Sequence, residues 1–148
     1  MRALLQRVTR AAVRVEGAEL AAIDRGLLVL LGVGRRDDDA TADALARRIC
    51  ELRIFEDEDG RTNQSLLDVG GACLVVSQFT LYADTRRGRR PGFTDAASPE
   101  VAKTLWLRVA EAIRGQGVEV GTGQFGAEMA VRLTNDGPFT LWLDTDER

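Results

Sequence analysis

Three short stretches hold the side chains that could act on a substrate. Ser77-Gln78-Phe79-Thr80 sets two hydroxyls and an amide inside the apolar run Cys73 to Tyr82. A buried hydroxyl or amide without a partner costs on the order of 1–3 kcal/mol. Either neighbouring backbone satisfies these groups, as is usual for buried polar side chains, or they mark a site where hydroxyls and backbone N–H groups face a substrate carbonyl. Arg86-Arg87-Gly88-Arg89-Arg90 puts four arginines in five residues. Such a stretch is either a solvated loop or a local phosphate cradle, whose affinity would depend on salt. Asn135-Asp136-Gly137-Pro138-Phe139-Thr140 has turn chemistry, because Gly-Pro between two apolar segments interrupts a strand ladder. The residues alone favour a plain hairpin turn here.

Composition removes other chemistries. The 148 residues contain no histidine, and Lys103 is the single lysine among 20 basic residues. Serine or cysteine nucleophiles paired with histidine are therefore excluded, as are histidine-ligated zinc hydrolases. A P-loop fails because Lys103 lies in a helix-like stretch instead of after a glycine-rich turn. Gly121 to Gly126 matches G-x-G-x-x-G, but the residues after it alternate with period two and run into Pro138, so no helix opens to receive a pyrophosphate. The acidic stretch Glu56 to Gly60 does not make a calcium loop either. In the EF-hand register its first and last ligand positions fall on Phe55 and Leu66. No metal ligands and no cofactor are expected. Cys50 and Cys73 fall in apolar runs and read as core residues.

The elements that must position these stretches follow from periodicity. Ala3 to Val33 reads as a meander of about three strands. Asp37 to Asp39 precede Ala42, Leu45, Ile49 and Leu52, the pattern of an amphipathic helix with acids at its N-terminus. Cys73 to Tyr82 reads as one buried strand. Ser98-Pro99-Glu100 then starts a second helix, with Val101, Leu105, Val109 and Ile113 as its apolar stripe and Gly115 at its end. Met129, Val131 and Leu133, then Phe139, Leu141 and Leu143, return to strands. The expectation is one α+β domain over residues 1–148, a curled, mostly antiparallel sheet covered by two main helices. With no apolar run long enough for a signal peptide or a bilayer span, the cytoplasm is the expected compartment. A net charge of −3 means that any contact with nucleic acid must be local.

The opening Gln6-Arg7-Val8, SQFTLY at Ser77 to Tyr82 and NDGPFT at Asn135 to Thr140, at their observed separation, resemble the D-aminoacyl-tRNA deacylases. Arg53-Ile54-Phe55, the basic-loop residues Gly88, Arg90, Pro91 and Phe93, and Met129-Ala130-Val131 support the likeness, which covers Met1 to about Leu143. The family more often has valine where this chain has Phe139.

The resemblance implies a homodimer of barrel-like α+β subunits with sites at the subunit interface. It implies a cis Gly137-Pro138 bond that serves the partner's site, held by Arg7, with both carbonyl oxygens on the substrate's α-amino group. An L side chain is then rejected by shape, whereas glycine slips through. Ser77, Gln78, Phe79 and Thr80 would form the catalytic group, with backbone N–H groups around Gln78 and Phe79 stabilising the oxyanion. Met129 would join the substrate-binding residues. The partner is the acceptor end of aminoacyl-tRNA, whose ester is hydrolysed. Thr80 lacks a side-chain base, so a water assisted by the substrate's ribose 2′-hydroxyl fits the composition better. Two other readings remain at this level: an RNA-binding module without turnover that uses the arginine loop, and a structural dimer.

Overall fold

A computed structural model describes residues 1–147. The first strand, β1 (Arg2–Val15), is long enough to carry the sheet because its residues alternate inward and outward along almost its whole length. One edge of β1 pairs first with β3 (Gly26–Gly32) and then with β2 (Ala18–Ile23), both antiparallel. Its other edge pairs with β8 (Ala130–Asp144). The apolar run of β3 faces a core on both sides. Leu27, Val29 and Leu31 meet the helices, and Leu28 packs inside the curl with Val8, Val13, Ile23, Leu74 and Val76.

Beyond β3 the pairing turns parallel, to β6 (Ala72–Ser77) and then β7 (Val120–Thr122). The sheet is mixed and strongly curled, with most of its pairs antiparallel, as expected. A separate two-stranded ribbon, β4 (Phe55–Glu56) and β5 (Thr62–Gln64), carries the acidic turn. Helix α1 (Asp39–Glu51) starts where the acids predict, capped by the Asp38 side chain on the Thr41 N–H. Helix α2 (Pro99–Arg114) is capped by Ser98 and ends at Gly115. Arg108 ties the two helices together through Asp39 and Asp43 at 2.9 and 2.7 Å. Both cysteines are buried in the core.

Three expectations need correction. Val101 is exposed, and the buried stripe of α2 runs through Ala102, Leu105, Trp106, Val109, Ala110 and Ile113 instead. The strand read across Cys73 to Tyr82 ends at Ser77, and Phe79–Tyr82 form one 3₁₀ turn. The cause is the end of its partner. The Gln78 N–H donates to Leu31 O at 2.7 Å as the last rung against β3. The chain then bends so that Tyr82 packs over Gly34, where a Cβ would stand 2.6 Å from the Tyr82 hydroxyl. The third correction concerns Gly137-Pro138. Instead of a hairpin between two strands, the dipeptide lies within the single strand β8, which pairs with β1 on both sides of it.

Candidate active site

Ser77, Gln78, Phe79 and Met129 meet around one cavity of about 650 Å³. Its walls are mostly apolar: Leu31 and Val76 from the sheet, Ala102 and Trp106 from α2, and Phe125 from the loop before β8. Few polar groups converging on an apolar hollow is the usual composition of a small-molecule site. Phe79 and Phe93 meet edge to face at 4.9 Å, and both rings are exposed, so they rim the cavity. Deeper in, Trp106 tilts against Phe125 at 5.8 Å.

The 3₁₀ turn gives this rim its chemistry. The first N–H groups of a helical turn have no acceptor within it. Among the described residues, the Phe79 and Thr80 N–H groups have no hydrogen-bond partner, whereas that of Gln78 is held by Leu31. The free amides are thus one residue further along than expected. Thr80 is exposed, and its hydroxyl accepts from the Gln78 side-chain amide. It borders the cavity without lining it.

Arg7, Gly137 and Pro138 form a second group that does not line that cavity. Gln6 pairs with Thr140 and Val8 with Asn135, so four residues of β8, Asp136 to Phe139, bulge out opposite Arg7 alone. The Gly137-Pro138 bond is cis, and both residues are exposed. Beneath them Arg7 is buried. It donates to Ile54 O at 2.7 Å and to Asp136 O at 3.2 Å, and pairs with the Asp136 carboxylate at 3.3 Å. The Phe139 ring lies 4.7 Å from its guanidinium carbon, so the aromatic residue at this position adds a cation–π contact. Asn135 closes the bulge. Its side-chain oxygen accepts from the Phe139 N–H at 3.0 Å and its amide donates to the Thr140 hydroxyl at 2.8 Å.

Sequence reasoning named the NDGPFT stretch but gave Asn135 and Thr140 no task. A side-chain amide and a hydroxyl flanking a bulge at a spacing of five was the available signal. Trp106 and Phe125 were missed as cavity walls: Trp106 falls outside the stripe read for α2, and Phe125 sits in a glycine-rich stretch weighed only as a dinucleotide fingerprint.

No helix among the described residues is long and apolar enough to cross a membrane. No cluster of three or more metal-ligating side chains occurs among them. The curled mixed sheet backed by two helices, with a hollow at the end of β6, has counterparts among known proteins. The family model described as D-Tyr-tRNA(Tyr) deacylase matches residues 4–144. A protein of Thermomicrobium roseum named D-aminoacyl-tRNA deacylase is 58% identical, over 99% of this chain and 96% of its own length. One of Paracoccus denitrificans with the same name is 55% identical, over 100% and 99%. A solved structure titled c-Myc DNA Unwinding Element Binding Protein superposes with a TM-score of 0.92 at 39% identity, covering 98% of this chain and 99% of that one. The chain belongs to the D-Tyr-tRNA(Tyr) deacylase family.

Proposed function

We propose that this chain, by family a hydrolase of the aminoacyl-tRNA ester bond, selects D-aminoacyl substrates by presenting Gly137-Pro138 of one subunit to the cavity of a second. One observation carries the reading. The exposed, clamped dipeptide and the cavity with its two free amides stand apart in the single chain, so a homodimer is the arrangement that unites them. The unpartnered edge of β8, with Leu133 and Trp142 exposed, supplies an apolar face suited to such pairing.

In the assembled site the carbonyl oxygens of Gly137 and Pro138 accept from the substrate's α-ammonium group. The D side chain points to solvent, and an L side chain collides with the dipeptide. Discrimination by collision leaves glycine, which has no side chain, as a substrate. The ester carbonyl oxygen sits on the Phe79 and Thr80 N–H groups, each a kind of donor commonly worth about 2.7–4 kcal/mol in the transition state. A water attacks the carbonyl and gives its proton to the ribose 2′-oxygen, while the 2′-hydroxyl passes its own proton to the departing 3′-oxygen. The C–O bond then breaks, and the free amino acid leaves the 3′-hydroxyl of the tRNA. Thr80 orients Gln78 and is not the nucleophile, because neither histidine nor lysine stands by to take its proton. Ser77 and Met129 shape the seat of the terminal nucleoside. The cytoplasm, where charged tRNA is used, is the matching compartment.

Mixed dimers test the arrangement. Gly137→Ala disables the dipeptide and Ala127→Trp fills the cavity, and each variant alone loses hydrolysis of D-aminoacyl-tRNA in single-turnover assays. Mixed one to one and reassembled, they regain about one quarter of the sites, because half the dimers carry one intact cavity facing one intact dipeptide. No regain means that the dipeptide serves its own chain or nothing at all. Equal cleavage of L- and D-aminoacyl-tRNA by the unaltered protein would overturn the selection itself.

A further inference from the structure

The loop between the 3₁₀ turn and α2 has a charge pattern that the chemistry above does not use. Asp84 and Gly92 close it with a pair of backbone hydrogen bonds of 2.7 and 2.9 Å. Inside the closure, Arg86 is committed: its Nε and Nη2 hold the Asp84 carboxylate at 2.8 Å each. That fork keeps the Asp84 carboxyl far below the usual carboxylate range. Arg87, Arg89 and Arg90 are different. All three are exposed, and among the described residues none makes a hydrogen bond or ion pair. Gly88, at φ 71°, turns the chain between them, and a side chain added there would meet no atom within 4 Å.

We propose that Arg87, Arg89 and Arg90 bind the phosphodiester backbone of the RNA strand whose 3′ end occupies the cavity, with Arg86 and Asp84 acting as the brace that shapes the loop. The inference rests on the cavity receiving that 3′ end. Three features support it. Guanidinium groups suit phosphate oxygens, which they engage through two parallel hydrogen bonds. The loop returns to the cavity through Phe93, whose ring rims it against Phe79. Arg90 is three residues from Phe93, so their Cα atoms lie within about 11 Å. A net charge of −3 gives the whole molecule no long-range pull on a polyanion, so affinity has to come from a local patch of this kind.

The test uses the full-length protein and uncharged tRNA as probe, with affinity read by fluorescence anisotropy between about 50 and 200 mM KCl. In the triple variant Arg87→Gln, Arg89→Gln, Arg90→Gln, the slope of log affinity against log salt becomes shallower by about two to three, at roughly 0.7–0.9 for each lost phosphate contact. The triple lysine variant keeps most of the slope, which separates charge from loop collapse. For hydrolysis, the preference in kcat/KM for D-aminoacyl-tRNA over D-aminoacyl-adenosine, which has no phosphate, falls at least about tenfold in the glutamine variant. An unchanged salt slope, or an unchanged preference, overturns the inference. Failure of the functional reading looks different: the unaltered protein then cleaves neither ester, while the slope on uncharged tRNA still reports on the loop.

Discussion

The bulge at Gly137-Pro138 and the rim at Phe79 are both exposed, yet they are fixed by opposite means. Beneath the bulge lies a web of directed bonds: Arg7 to Ile54 O and Asp136 O, and Asn135 to the Phe139 N–H and the Thr140 hydroxyl. The rim instead rests on aromatic contact between Phe79 and Phe93, with one side-chain hydrogen bond from Gln78 to Thr80. Directed bonds to buried groups tolerate little displacement, whereas ring packing tolerates rearrangement. In the proposed reaction that division has a logic. The element that refuses the wrong hand must not yield, whereas at the rim only the main chain, anchored by the Gln78 N–H on Leu31 O, has to hold its amides still while the rings shift.

Breaking the clamp should have the largest effect on stability. Arg7→Met leaves Ile54 O and Asp136 O without their donor, and urea unfolding should show a loss of about 2–4 kcal/mol. Hydrolysis of D-aminoacyl-tRNA should fall on the order of 10²-fold as the dipeptide shifts. An Arg7→Met protein of undiminished stability would remove the contrast altogether.

Gly137→Ala sharpens it. The new Cβ would stand 2.9 Å from the Phe139 nitrogen and 3.3 Å from Arg7 Nη2, at a φ of 130°. Strain and overpacking together cost about 1–3 kcal/mol. On the cavity side, Gly126→Ala meets no atom within 4 Å at φ 76°, so only the conformational cost of about 1–2 kcal/mol should appear. Equal losses for the two glycines would mean that the bulge is no tighter than the loop.

Asn135→Ala comes next, at about 1–2 kcal/mol for the unpaired Phe139 N–H and the freed Thr140 hydroxyl. Phe79→Ala should cost less than about 1.5 kcal/mol of stability and be read in KM more than in the melting temperature.

The smallest effect belongs to the thiols. Burial pushes Cys50 up to about 11 and Cys73 higher still, so iodoacetamide at neutral pH should leave hydrolysis intact. Because both thiols hold their protons more tightly when folded, stability should decline as pH rises above about 8.5, the value in the unfolded chain. Labelling at neutral pH with loss of activity would contradict both statements.

How far these regions could be read in advance follows the same division. The three opening strands, both helix starts and the buried cysteines were legible, because periodicity and capping are local signals, but the meander was not: β1 lies between β2 and β3, so β3 pairs with the first strand instead of the second. The end of β6 was not, since the strand-forming residues continue to Tyr82 and only the end of β3 stops the pairing at Gln78. The bulge was misread for a related reason. Gly-Pro marks an interruption, but whether the chain then turns back or rejoins the same partner is decided by β1, more than a hundred residues earlier. The cavity residues Ser77 to Phe79 could be suspected from polar groups in an apolar run. Which amides stay free depends on where that run bends.

The two unpartnered amides that open the 3₁₀ turn belong to the main chain, and every amino acid except proline would supply the same pair. Alanine scanning is therefore blind to them: Phe79→Ala and Thr80→Ala alter the scenery and leave the donors standing. Their worth can be weighed only by atomic surgery on the polymer, an amide-to-ester exchange at residue 79 or 80 by chemical ligation. For the same reason, these donors can persist in relatives while the letters at both positions drift.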